Sequence, residues 1–170
     1  PRELAAIYGQ QGLFQEAEAV LRGLLNKHPD YVFGWVNLGQ LYLMRRQWDM
    51  AEAVVGKMEQ CPGGEPYVAT IRAEIHIAQG NAEQARQWLD RAVALAPSMP
   101  WPRILRIRWL DLVGARRETR LAAIQDLLRL SPGDVFGQRA LAELSRPTPQ
   151  EAPAEMQSCS SIVVQAGQPA

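Results

Sequence analysis

A 34-residue spacing of small and aromatic residues limits what this chain can fold into more than any other feature. It is clearest from Trp35 to Pro62, a stretch that reads as two helices joined by a tight corner. Trp35, Leu38, Gly39 and Tyr42 recur at spacings of three and four on one face of the first helix. Trp48, Ala51, Val55 and Met58 do the same on the second. Small residues at Gly39 and Ala51 allow the two axes to approach closely, with Trp35, Tyr42 and Trp48 filling the surrounding space. A single pair of this kind cannot bury both apolar faces, so the pattern requires stacked copies.

The copies are present. One period back from Gly39, Tyr42, Trp48 and Ala51 stand Ala5, Tyr8, Phe14 and Ala17; one period forward stand Ala73, His76, Ala82 and Ala85. Pro29 and Pro97 lie two periods apart, each ending a second helix, and Pro62 comes one place early. Gly12, Gly80 and Gly114 hold the turn position, which Arg46 fills in the second copy. A small–aromatic–turn–aromatic–small–proline pattern at this period resembles the tetratricopeptide repeat (TPR) family over roughly residues 1 to 145. The resemblance implies an all-α, right-handed superhelix of about four helical hairpins closed by a C-terminal capping helix.

The repeats are expected at about residues 1–30, 31–64, 65–98 and 99–133, with the capping helix at 134–145. Asp30 is placed to cap the helix after the Pro29 break, and Asn81 with Gln84 has capping-box spacing. The fourth copy is degenerate: Ile107 replaces the small residue of its first helix, RRET replaces the alanine-centred start of its second, and Pro132 comes one residue late. One residue inserted near Gly114 accounts for this, giving a second helix from about Arg117 to Leu130. Asp134 to Leu144 then repeats Asp30 to Leu41 with one residue fewer after the aspartate. From residue 146 to 170 the composition turns to Pro, Gln, Ser, Ala and Gly, as in a flexible tail or linker. Within it, SSIVVQAG from Ser160 to Gly167 could form a short strand or dock. Pro1 enters at once into helix-like sequence and copy one lacks the start of its first helix, so a preceding segment is expected.

Composition narrows the functional classes. The formal charge is zero, which argues against a nucleic-acid or anionic-membrane partner, and no apolar run reaches a membrane span. Cys61 and Cys159 make neither a disulfide framework nor a metal site, and no cofactor is implied. His28 closes a helix as a dipole partner, and His76 occupies the station of Tyr8 and Tyr42, where a packed histidine is expected. No catalytic constellation is present, so the chain is not expected to be an enzyme. Residues 100 to 130 hold seven arginines against three acids, which fits either an acidic partner or a solvated face. Only Lys27 and Lys57 are lysines, a bias that fits a GC-rich bacterial genome, and a cytoplasmic location is favoured.

The resemblance implies that the first helix of each hairpin lines a concave groove that receives a protein or peptide. Phe33, Tyr67 and Trp101 then share one station facing it, and Phe136 takes that place in the capping helix. Such rings would grip apolar or proline-containing peptide, or alternatively seal the joint between successive repeats. Further along the same face come Asn37 and Gln40, Ile71 and Glu74, and Leu105 and Arg108, followed by Ala140 and Glu143; the polar members suit an extended peptide backbone. The two-carboxylate clamp known in the family is not expected, because of its residues only Asn37 is retained; Arg2, Ala6, Tyr67 and Ile71 stand where the others belong. Two other roles fit: a non-catalytic repeat region attached to a bacterial enzyme, since SSIVV resembles the first strand of nucleotide-sugar glycosyltransferases, or a secretion chaperone of the three-repeat type.

Overall fold

The computed structural model describes residues 13–146. Among them are eight helices and no strand: α1 (Phe14–Lys27), α2 (Val32–Met44), α3 (Trp48–Met58), α4 (Glu65–Ala78), α5 (Ala82–Leu95), α6 (Pro100–Leu112), α7 (Arg117–Leu130) and α8 (Val135–Leu144). Each helix packs on the next in chain order. In addition α2 packs on α4 and α4 on α6, whereas no packing of comparable extent joins α1, α3, α5 and α7 to one another. The result is a stack of helical hairpins with one row of mutually packed helices, as a helical solenoid requires. The tail from 147 to 170, with its SSIVV run, and the first copy's opening helix lie outside the described residues.

The helix-to-helix corner is the same in three copies. At Arg46, Gly80 and Gly114 the chain turns to positive φ of 56°, 76° and 62°. The amide after each bonds five residues back: Gln47 to the Tyr42 carbonyl at 2.9 Å, Asn81 to His76 at 2.8 Å, Ala115 to Leu110 at 2.9 Å. With the bonds from Arg46, Gly80 and Gly114 to Leu43, Ile77 and Asp111, this is the Schellman termination, which satisfies carbonyls left open at a helix end. Glycine enters the left-handed region without steric penalty; Arg46 enters it at a cost.

The small stations are packing constraints, as the sequence requires. Ala17, Ala51 and Ala85 are completely buried at 0 % exposure. A Cβ at Gly39 would stand 2.9 Å from Ile71 Cδ1 and 3.5 Å from Val54 Cγ1, so this glycine admits both α3 and α4. In the fourth copy Thr119 is exposed, and with the inserted residue the station falls to the half-buried Arg120, while Ile107 fills the partner station. The bulk at both positions loosens this hairpin. The α6–α8 contact that would continue the packed row is weak or absent, and a cavity of about 380 Å³ opens among α6, α7 and α8. It is lined by Ile107, Ile124, Phe136 and two ion-paired arginines, Arg120 with Asp111 and Arg139 with Glu143.

Two capping expectations are corrected. Asp30 does not cap α2: the N-cap position is Tyr31 and no side chain caps it. Asp134 does cap α8, accepting from the Gly137 amide at 2.8 Å. The single residue missing between aspartate and valine in the last copy moves the carboxylate into reach. Asn81 is at the N-cap of α5, but its side chain donates to Gln79 Oε1 at 3.1 Å instead of capping.

Candidate functional site

The aromatic station is divided between solvent and core. Phe33, at the start of α2, is 39 % exposed and meets Tyr67 of α4 edge to face, ring centroids 5.3 Å apart. Tyr31 extends this group, its ring 6.1 Å from that of Phe33. Tyr67 is half-buried against the core formed by α1 to α4. Trp101 is also half-buried, but it packs against both that core and the next one, built from Ala73, Ile77, Ala85, Leu89 and Leu105. It therefore joins two repeats. Phe136 is 36 % exposed and lines the cavity beside α6 and α7, away from the Phe33–Tyr67 pair.

The polar row is equally uneven. Asn37 Nδ2 donates to the Phe33 carbonyl at 2.8 Å, and Gln40 is half-buried one turn further along α2. Ile71 is completely buried against Gly39, so the expectation that it lines a groove is corrected. Leu105, at the same station, is buried as well. Glu74 of α4 and Arg108 of α6, one period apart, form an ion pair at 2.9 Å across adjacent helices. The second Glu74 oxygen, Oε2, is buried and accepts no hydrogen bond among the described residues. Desolvating a carboxylate oxygen is costly unless a donor reaches it.

The arginine-rich stretch is locally neutralised. Arg103 pairs with Asp126 at 2.8 Å, Arg106 with Asp90, Arg108 with Glu74, Arg120 with Asp111 at 2.6 Å, and Arg129 with Asp126 at 3.2 Å. Most of these pairs tie one helix to its neighbour, which leaves little unopposed charge for an acidic partner there. His76 is half-buried at the station of the fully buried Tyr42, and burial lowers its pKa below the ordinary 6.5, opposed by the Glu52 carboxylate. Its Nδ1 is buried without a partner among the described residues. Tyr42 uses its hydroxyl to link α1 and α2, accepting from Arg22 at 3.0 Å and donating to Glu18 Oε1 at 2.8 Å. Among the described residues no group of His, Cys, Asp and Glu could hold a metal ion, and no helix is long and apolar enough to cross a membrane.

These features define a helical-hairpin repeat solenoid, and comparison with known proteins agrees. Two sequence models of the tetratricopeptide repeat family match residues 2–66 and 66–91, together more than half of the chain. The chain belongs to the tetratricopeptide repeat family. No characterised protein matches it significantly in sequence. Solved structures that resemble it include the first TPR domain of human RPAP3, at 18% identity and a TM-score of 0.58 over 81% of this chain and 98% of that one. The Arabidopsis OM64 TPR domain matches at 17% identity and a TM-score of 0.55, over 67% and 93% respectively. At these identities the likeness concerns the fold. Members of the family are in general non-catalytic, and the chain is in these general terms a protein-interaction scaffold.

Proposed function

We propose that the face shared by α2, α4 and α6 binds an extended peptide segment of a partner protein. The observation that carries this reading is the edge-to-face pair of Phe33, 39 % exposed, and the half-buried Tyr67 on two helices of this face. The rings offer apolar contact area with few rotatable bonds, suited to aliphatic or proline side chains. Gln40 and Glu74, one period apart, offer polar groups to the backbone of the same segment. Phe33, Tyr67, Asn37, Gln40, Glu74 and Arg108 form this surface. Trp101 supports it from the joint, and Phe136 stands at the far end. Net neutrality and the pairing of the basic stretch with acids support a protein partner over nucleic acid. Peptides selected by display against the chain provide the test. Phe33→Ala and Glu74→Gln are each expected to weaken the selected peptide several-fold. Selected peptides that bind both variants as tightly as the parent would refute the assignment.

A further inference from the structure

On the opposite side of the stack, the cleft between α1 and α3 differs from the α3–α5 cleft in the chemistry of its lining. Its floor is α2, with Trp35, Leu38 and Tyr42; Leu25 of α1 and Val54 of α3 continue the apolar lining. It holds a cavity of about 320 Å³ that shares Leu25, Asn26, Trp35 and Lys57 with a second of about 500 Å³ toward Pro29 and Cys61. These sizes are in the range of ligand-binding pockets.

The repeat register explains the difference. One period on, Leu38, Val54 and Lys57 become Arg72, Trp88 and Arg91. There Trp88 lies between two guanidinium groups, Arg72 at 4.9 Å and Arg91 at 5.3 Å from the ring centroid. Arg72 is also held by Glu52 at 3.0 Å and Glu59 at 2.8 Å. The α3–α5 cleft also holds a cavity, of about 420 Å³, but Asp49 and Glu52 line it beside Arg72 and Trp88, so its charge is balanced. In the next cleft Arg106 stands at the same station, paired with Asp90. The first cleft has leucine and valine instead, and among the described residues no carboxylate lines its cavity.

Its charge is one-sided along most of its length. Arg22 on the α1 wall engages Glu18 and Tyr42 through Nη2, yet its side chain is 54% exposed. Lys57 on the α3 wall is exposed and has no ion-pair partner among the described residues. The acids nearby are Glu18, shared among Arg22, Arg45 and Tyr42, and Asp30 at the Cys61 end. Burial, and then the Asp30 carboxylate, push up the pKa of the Cys61 thiol, which is directed at the Lys57 and Pro29 carbonyls. An apolar floor between two cationic walls complements one kind of occupant. We infer that this outer cleft is a second docking site, for an acidic segment of a partner protein whose aliphatic side chains enter between α1 and α3 while its carboxylates meet Arg22 and Lys57. The site is separate from the peptide surface on α2, α4 and α6, so the two stand or fall independently.

The test uses a fluorescein-labelled 14-residue peptide of glutamate and leucine with leucines at three- and four-residue spacing, and its analogue with lysine at every glutamate. Fluorescence anisotropy is expected to show the acidic peptide binding at least tenfold tighter than the basic one, and more weakly as salt rises. Lys57→Glu and Ala53→Trp alter exposed positions on the α3 wall, one reversing charge and one filling space. Each is expected to weaken the acidic peptide at least fivefold while the thermal midpoint stays within about 2 °C of the parent. In NMR spectra the Trp35 indole N–H, which donates to the Pro29 carbonyl at 2.7 Å, should shift on binding. Three results would overturn the inference: equal binding of both peptides, shifts confined to Tyr67 and Trp101, or sedimentation showing that a second copy of the chain already covers the cleft.

Discussion

Replacing Arg46 by glycine should make the protein more stable. Arg46 holds φ at 56°, in the turn position that glycine occupies one and two periods later, with the same backbone bonds. For a residue with a Cβ the left-handed conformation costs about 1–2 kcal/mol. Its side chain is exposed and makes no hydrogen bond or ion pair among the described residues, so removing it forfeits little in the folded state. Glycine loses more freedom on folding, which offsets about 0.5–1 kcal/mol of the gain. The net expectation is a stabilisation of about 0.5–1 kcal/mol, or about 1–4 °C in thermal midpoint for a chain of this size. Urea titration of both proteins checks this, provided the slope is unchanged so that the midpoint alone reports stability. The converse change, Gly80→Arg, should lower the midpoint by a similar amount. A destabilised Arg46→Gly variant would show that the corner is not strained, and the argument from the shared turn would fail.

Further predictions rest on the same register. Ala51→Leu and Ala85→Leu insert bulk at fully buried positions and should each cost about 1–3 kcal/mol in denaturant titration, whereas Thr119→Leu, at an exposed position, should stay within about 0.5 kcal/mol. Trp101→Ala should cost about 3 kcal/mol by thermal melt, since the ring joins two core clusters. The lowered pKa of His76 means that the unfolded chain binds its proton at higher pH than the folded one, so stability should fall as pH drops below 6.5. Midpoints at pH 8 and pH 5.5 should therefore differ less in His76→Gln than in the parent.

The repeat architecture was legible because steric requirements recur at fixed spacing. Ala17, Ala51 and Ala85 must be small for two helices to meet, and Arg46, Gly80 and Gly114 must turn the chain at one place in each hairpin. The inserted residue in copy four was readable from Pro132, and α7 runs over Arg117–Leu130 as that insertion implies. The caps were less legible, since one residue decides whether Asp30 or Asp134 reaches a helix amide. For the candidate site, spacing placed Asn37, Ile71 and Leu105 at one station, but their identities decide burial: asparagine stays half-exposed while isoleucine and leucine enter the core. The pairing of Glu74 with Arg108 depends on side-chain reach between helices, which periodicity does not encode. The outer cleft did have a sequence signal, the exchange of Leu38 and Val54 for Arg72 and Trp88 across one period.

The central claim is that the Phe33–Tyr67 face binds peptide. Isothermal titration of a display-selected peptide into the parent and into Phe33→Ala, beside thermal melts of both, tests it most directly. Phe33 is substantially exposed, so its truncation should leave the midpoint nearly unchanged while affinity falls by about 1 kcal/mol or more, roughly fivefold. Unchanged affinity with a stability loss of about 3 kcal/mol would contradict the claim and make the ring part of the joint between repeats.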